Sequence, residues 1–321
     1  MYTVGIIGTG KIAGLFDAPA KTEFINTHAQ AIHNSTKLRF VSAVDADKRA
    51  VIAFCEKWGI KNAYTELSSF MINDIPDIIT VSSSSDTHYS IASRILKHEK
   101  RPRVLFIEKP VCCTRIELQK LMEIDDASGT VIVVNHKRRF DPVHVQLKEI
   151  VQSGYLGKFI EGSFTYYGGW LNNGVHIIDL IMMLFGGDFR FMNVKRQMYG
   201  KQDDLCFDVT LDYRQFQIEM KSFDEQYYQL FEGELRFSKG RVLYQDFGNR
   251  IIVETTIVNS IGEVELHRSD GCTMEGLWAP FKHGYKSIVA CLDAKDDTVL
   301  TGVRLKDVNA VMDKMFMIEN T

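Results

Sequence analysis

The sequence predicts an α/β chain of two domains, a doubly wound parallel sheet followed by an α+β domain with an antiparallel sheet. Three observations carry this. Short, wholly apolar, β-branched runs alternate with helical patterns over the first third, as parallel strands covered on both faces require. After Asp141 the order changes, and strands with a two-residue alternation follow one another through short connections, which is the pattern of antiparallel pairing. A length of 321 residues accommodates two domains with a core each.

Taken in order, Thr3 to Ile7, Leu38 to Val44, Ile78 to Ser82 and Val104 to Ile107 are expected as buried strands. Between them, Lys48 to Trp58 and Thr87 to His98 place apolar residues at helical spacing, Val51, Ile52, Phe54 and Cys55 in one and Ile91, Ala92, Ile95 and Leu96 in the other. A helix over Arg115 to Ala127 leads through Ser128 and Gly129 into a further strand, Val131 to Val134. Phe16 to Asn26 reads as an insertion that lengthens the first crossover. Beyond the junction a helix over Pro142 to Gln152 stops at Gly154, Lys158 to Tyr167 is strand-like, and Gly174 to Phe185 is helical up to Gly186 and Gly187. Phe207 to Tyr213, Gln217 to Ser222, Leu235 to Phe237 and Ile251 to Val258 are the antiparallel strands. Amphipathic helices around Tyr285 to Ala294 and Arg304 to Met317 close the chain. With no low-complexity linker, the junction is expected to be tight, dividing the chain into domains 1–137 and 138–321.

Composition excludes several functions. The 38 basic and 41 acidic residues leave a formal charge of −3 with no basic block, so nucleic acid is not an expected partner. The apolar stretch from Val175 to Phe185 holds His176 and Asp179 and is too short to span a bilayer. The N-terminus lacks the charged and small-residue regions of a secretory signal, so a cytoplasmic location is expected. Six cysteines show neither a CxxC pair nor Cys/His zinc spacing, so reduced thiols and no metal site are expected. Adjacent Cys112 and Cys113 are read as packing residues, with a redox role as the alternative.

The sharpest motif is Gly8-Thr9-Gly10-Lys11-Ile12-Ala13 directly after the first strand. Gly8 permits a tight turn, Gly10 leaves room for a pyrophosphate beside Lys11 and Ile12, and Ala13 lets a helix pack closely. The phosphates would meet that helix's N-terminus. Asp45, at the end of the second strand, is placed to bind ribose hydroxyls, which favours NAD; Lys48 and Arg49 nearby leave NADP open. The alternative for Asp45 is a helix cap. Lys109, between Glu108 and Pro110 at a strand's carboxyl end, can steady an alkoxide. In the second domain a helix beginning near Asn172 would align Asn172, His176 and Asp179 on one face. His176 could then take a hydroxyl proton, the alternative being a core histidine satisfied by Asp179. Tyr166, Tyr167 and Trp170 are candidates for stacking on a sugar or base, or else core aromatics.

Together Gly8-x-Gly10-x-x-Ala13, Val44-Asp45, His88, Glu108-Lys109-Pro110, Arg139-Phe140-Asp141-Pro142 and Gly174-Val175-His176-x-x-Asp179 resemble, in this order and over nearly the whole chain, the glucose-fructose oxidoreductase and inositol dehydrogenase family (Gfo/Idh/MocA). The resemblance implies a Rossmann-type domain and a C-terminal α+β domain whose large, mostly antiparallel open sheet makes a homodimer or homotetramer. It implies NAD(P)-dependent hydride transfer at a CH–OH carbon of a sugar, sugar nucleotide or cyclitol. Lys109 matches the family's lysine between nicotinamide and substrate, and His176 its acid/base histidine. Asn172 departs from the family's usual aspartate, which raises two rivals: a redox-neutral sugar-modifying enzyme, or a non-catalytic cofactor-binding regulator. Ser83-Ser84 replaces Thr-Pro before His88, and Thr27 to Ala31 resembles members that act in bacterial surface-polysaccharide pathways, which points toward nucleotide-linked sugars. The implied cofactor set is Gly8, Gly10, Lys11, Ile12, Asp45, Ser83, His88, Glu108 and Lys109. The implied substrate set is Lys109, Tyr166, Trp170, Asn172 and His176.

Overall fold

The computed structural model describes residues 1–15, 17, 24–201, 204–269 and 271–318, so the insertion read over Phe16 to Asn26 lies largely outside the described residues. The chain forms two compact units, Met1–Phe140 joined by Trp278–Phe316, and Asp141–Leu277 with the last residues.

In the first unit the apolar runs become β1 (Tyr2–Ile7), β2 (Leu38–Val44), β3 (Asn62–Tyr64), β4 (Ile78–Val81), β5 (Val104–Ile107) and β6 (Val131–Val134). They form one sheet in the order β3-β2-β1-β4-β5-β6 with every pairing parallel. The order reverses between β1 and β4, where such sheets bind ligands at their carboxyl ends. The helices are α1 (His28–His33), α2 (Lys48–Trp58), α3 (Leu67–Asn73), α4 (Ser85–Leu96), α5 (Arg115–Ser128) and α6 (Lys137–Phe140). α2 starts at Asp47, whose carboxylate accepts from Arg49 N at 2.8 Å, and ends at Gly59 with φ +67°. Thr114 and Glu117 form a capping box on α5. Each such cap contributes about 1 kcal/mol.

The second unit holds α7 (Pro142–Gln152), β7 (Phe159–Tyr167), α8 (Val175–Phe185), β8 (Arg190–Lys201), β9 (Asp204–Asp212), β10 (Gln217–Phe223), β11 (Glu232–Phe237), β12 (Gly240–Gln245), β13 (Arg250–Val258), β14 (Val264–His267) and β15 (Thr273–Glu275). The strand order is β14-β13-β12-β11-β7-β10-β9-β8, with β15 on β13; β7 and β10 pair in parallel and the rest antiparallel. On β10, Ile218 and Met220 are buried while Gln217, Glu219 and Lys221 are exposed, so one sheet face is core and the other polar. β8 has no counterpart in the sequence reading, because bulges after Met192 and Arg196 break its alternation.

The domain division needs correction at the C-terminal end. The sequence reading assigned everything after residue 137 to the second domain, whereas α9 (Pro280–Ala294) and most of α10 (Leu305–Ile318) belong to the first unit. Phe281, Tyr285, Ile288 and Leu292 of α9 join Val4, Phe106 and Phe140 in one buried cluster. The periodicity of α9 shows that it has an apolar stripe but not which sheet that stripe covers. Among the described residues no helix is long and apolar enough to cross a membrane.

Candidate active site

The turn after β1 is shaped by its glycines. Gly8 has φ +89°, and a Cβ there would lie 2.4 Å from Ser83 N, so the backbones after β1 and β4 meet at this point. At Gly10 a Cβ would meet nothing within 4 Å, which leaves the approach to the backbone open. A cavity of about 530 Å³ lies over this turn, lined among others by Gly8, Gly10, Asp45, Ser83, Thr87 and Arg94, and the size suits a nucleotide. Lys11 and Ile12 are exposed on the same turn. These features fit a dinucleotide: a cradle that a side chain would fill, and a carboxylate beside it.

One expectation and one alternative are corrected here. Lys11 to Gly14 make one helical turn, with Gly14 N bonded to Gly10 O at 3.2 Å, and no helix follows directly. Gly14 has φ +129°, outside the helical region, and among the described residues the first helix, α1, starts at His28 and has six residues. The phosphates would therefore meet turn amides rather than a helix end. Nor is Asp45 the cap of α2, since Asp47 is. Asp45 Oδ2 accepts from Thr9 N and Oγ1, both at 2.8 Å, and its Oδ1 from Asp47 N at 3.0 Å. These bonds aim the carboxylate at the glycine turn. Arg94, Ile91 and Thr87 escaped the sequence reading, although their spacing of four and three residues on α4 marks one helix face.

Lys109 is half-buried at the end of β5, and the Lys109–Pro110 peptide bond is cis. His88, expected as a cofactor residue, is buried with both ring nitrogens on carbonyl oxygens, Nδ1 on Pro110 at 2.7 Å and Nε2 on Ser83 at 3.0 Å. It clamps the loop after β4 to the loop after β5. Glu108 is likewise turned inward: its Oε1 accepts from His28 Nε2 at 2.8 Å and Asn135 Nδ2 at 2.5 Å. Burial disfavours its charge, but the hydrogen bonds from His28 and Asn135 and the charge of Lys109 outweigh this and hold its pKa below the ordinary value. Asn135 carries no motif that sequence reading could have used, and His28 entered it only as part of the segment Thr27 to Ala31. Cys112 is buried with its thiol pKa pushed up by desolvation, which opposes the redox alternative.

In the second unit Trp170–Gly174 form a π-helical turn before α8, so Asn172, His176 and Asp179 do not share one α-helical repeat as expected. Asn172 is exposed, His176 half-buried and Asp179 buried. Asp204 anchors the turn, accepting from Leu171 N at 2.8 Å and Asn172 N at 2.9 Å. A Cβ on Gly169 would sit 1.8 Å from that carboxyl carbon, so glycine is what lets Asp204 reach. Tyr166 and Trp170 are fully buried, and the Tyr166 hydroxyl donates to Phe207 O at 2.7 Å. They are core residues, not substrate contacts. Tyr167 is half-buried. Among the described residues no three His, Cys, Asp or Glu side chains gather as a metal site.

Residues 2–136 match the model of the oxidoreductase family described as having an NAD-binding Rossmann fold, GFO_IDH_MocA. Curated relatives include an oxidoreductase of Formosa agariphila, 28% identical over 49% of this chain and 44% of its own length. Another is the inositol 2-dehydrogenase of Rubrobacter xylanophilus, 27% identical over 53% of this chain and 44% of its own length. The chain thus spans less than half the length of these relatives. Among solved structures, the 3-ketoreductase KijD10 of Actinomadura kijaniata with NADP superposes with a TM-score of 0.74 at 15% identity, over 100% of this chain and 96% of that one. An oxidoreductase of Agrobacterium radiobacter in complex with NAD+, L-tartaric acid and magnesium gives 0.71 at 12%, over 99% and 94%. Residues 2–136 thus match the oxidoreductase family with an NAD-binding Rossmann fold, the sheet order of the first unit agrees with that match, and the solved structures share the fold of the whole chain.

Proposed function

We propose that the protein is an NAD-dependent oxidoreductase, with NADP as a possible cofactor, that transfers a hydride between nicotinamide and a carbon of a sugar, sugar nucleotide or cyclitol. The observation that carries this reading is a continuous link in the first unit. Gly8 abuts Ser83, and His88 joins Ser83 to Pro110 beside Lys109, so the phosphate turn and the lysine belong to one hydrogen-bonded frame. The inositol dehydrogenase and ketoreductase relatives support the substrate class.

The bound nicotinamide supplies the hydride acceptor or donor. Gly10 would leave room for a pyrophosphate, and Asp45 would accept from ribose hydroxyls. The Lys109 ammonium donates to the substrate oxygen and stabilises negative charge as it develops there. His176 takes the hydroxyl proton in oxidation and returns it in reduction. Asn172 offers an amide donor and acceptor for a further hydroxyl.

The test is a screen of inositols, free sugars and nucleotide sugars with NAD+ and NADP+, followed by Lys109→Ala and His176→Ala on the active pair. Each variant is expected to lose roughly 10²- to 10⁴-fold in turnover while cofactor affinity, read by calorimetry, stays within a few-fold of the parent. Turnover intact in both variants overturns the assignment. Asn172→Asp then separates the rivals: activity gained indicates a decayed enzyme, activity lost an amide suited to its substrate. Light scattering of the purified protein tests the expected homodimer or homotetramer.

A further inference from the structure

The polar cluster beneath Lys109 takes part in no step above, and its burial calls for a reason. His28 is fully buried. Its Nε2 bonds Glu108 Oε1 at 2.8 Å and its Nδ1 bonds the Tyr285 hydroxyl at 3.0 Å; that hydroxyl in turn bonds Thr80 Oγ1 at 2.7 Å. The protons can run in one direction. Thr80 donates to Tyr285, Tyr285 to Nδ1, and Nε2–H to the carboxylate, so a neutral imidazole in one tautomer satisfies every partner. The rings of Phe106, Phe281 and Tyr285 stand edge-on to His28 at 5.4, 4.8 and 5.8 Å, which leaves the imidazole little freedom to rotate.

The same residue is also tied to the phosphate turn. His28 N donates to Ile12 O at 3.2 Å and Ala29 N to Ala13 O at 2.9 Å, so α1 is pinned to the turn by its backbone and to the end of β5 by one side chain. We propose that His28 is a positioning residue that couples the dinucleotide-binding turn to Lys109 through Glu108. This rests on the reading of Lys109 above. A buried carboxylate that lost His28 would keep only Asn135 on that oxygen, and the strand end carrying Lys109 would relax. Because coupling is reciprocal, the same loss would loosen the turn against its ligand.

The experiment uses the full chain, with two readouts that need no substrate. One is NAD+ affinity by calorimetry. The other is the rate at which Lys109 of the cofactor-free protein is acetylated by acetic anhydride, resolved by peptide mass spectrometry with exposed Lys61 as internal reference. His28→Leu is expected to weaken NAD+ binding by about three- to tenfold and to change the Lys109 rate by at least about threefold. His28→Gln, whose amide can still donate to Glu108, should recover most of both. If His28→Leu does not fold, Tyr285→Phe, which removes only the hydroxyl that orients Nδ1, should move both readouts the same way by less. A folded variant with both readouts within about twofold of the parent overturns the coupling, as does one in which only the affinity moves. If the parent protein binds neither NAD+ nor NADP+, the functional reading fails instead, and the Lys109 rate alone still decides whether His28 positions the lysine.

Discussion

Gly8 and Gly10 stand two residues apart and need to be glycine for different physical reasons, which makes them separable. At Gly8 a side chain would meet the Ser83 backbone, and φ is +89°, so Gly8→Ala is expected to cost about 1–3 kcal/mol of stability. At Gly10 there is open space. Gly10→Val should leave the melting temperature nearly unchanged while weakening NAD+ by about tenfold or more, because its methyls take the place of a phosphate oxygen. Thermal unfolding and calorimetry on the two variants check the pair, and equal effects on stability would contradict the distinction. Asp45 divides the possibilities in the same way. Removing its carboxylate, as in Asp45→Ser, should reduce the preference for NAD+ over NADP+, because it takes away the repulsion a 2′-phosphate would meet.

At the scale of elements, the π-helical turn ahead of α8 depends on a strand remote in sequence. Asp204, at the start of β9, holds the amides of Leu171 and Asn172, and Gly169 lets it in. Gly169→Ala should therefore act like Asp204→Asn: both loosen the segment bearing Asn172 and His176, with kcat falling about tenfold or more while NAD+ affinity is unchanged. A variant that loses NAD+ binding instead would place Asp204 in a different role. This anchor also shows where sequence reading stops. The parallel strands were legible because burial on both faces leaves an unbroken apolar run, and the tight turn at Gly8 because its positive φ and the nearby Ser83 backbone admit only glycine. The Asp204 anchor was not, since an aspartate 32 residues from the amide it caps leaves no periodic trace. Tyr166 and Trp170 misled for a related reason: an aromatic at a strand end looks the same in the sequence whether its ring faces solvent or, as here, the core. α9 was recognised as amphipathic, yet its partner sheet lies on the far side of the intervening unit in sequence, where periodicity carries no address.

Over the whole molecule, a buried carboxylate is paired with a histidine in each unit, and both pairs contribute to the response to acid. Glu108 with His28 lies in the first unit. In the second, Asp141 caps α7, accepting from His144 Nδ1 at 2.6 Å and Leu277 N at 2.9 Å, and His144 Nε2 reaches the Tyr244 hydroxyl at 2.8 Å. For Asp141, as for Glu108, burial alone would raise the pKa, but the hydrogen bonds from the histidine and the other donors prevail and hold it below the ordinary carboxylate value. The sign of the linkage follows. A carboxylate whose native pKa is depressed contributes its stability above the unfolded value of about 4, and that contribution drains away as the pH falls through the native value. Asp141→Asn and Glu108→Gln keep size and shape while removing the charge, so each should cost about 1.5–3 kcal/mol near neutral pH. The gap in melting temperature to the parent protein should narrow as the pH is lowered below about 4, because the parent then loses what the variants already lack. Calorimetric scans across that range decide it: a gap that stays constant from neutral to acid pH would show that the two amides fail for reasons of packing, and that neither buried charge contributes to holding its unit together.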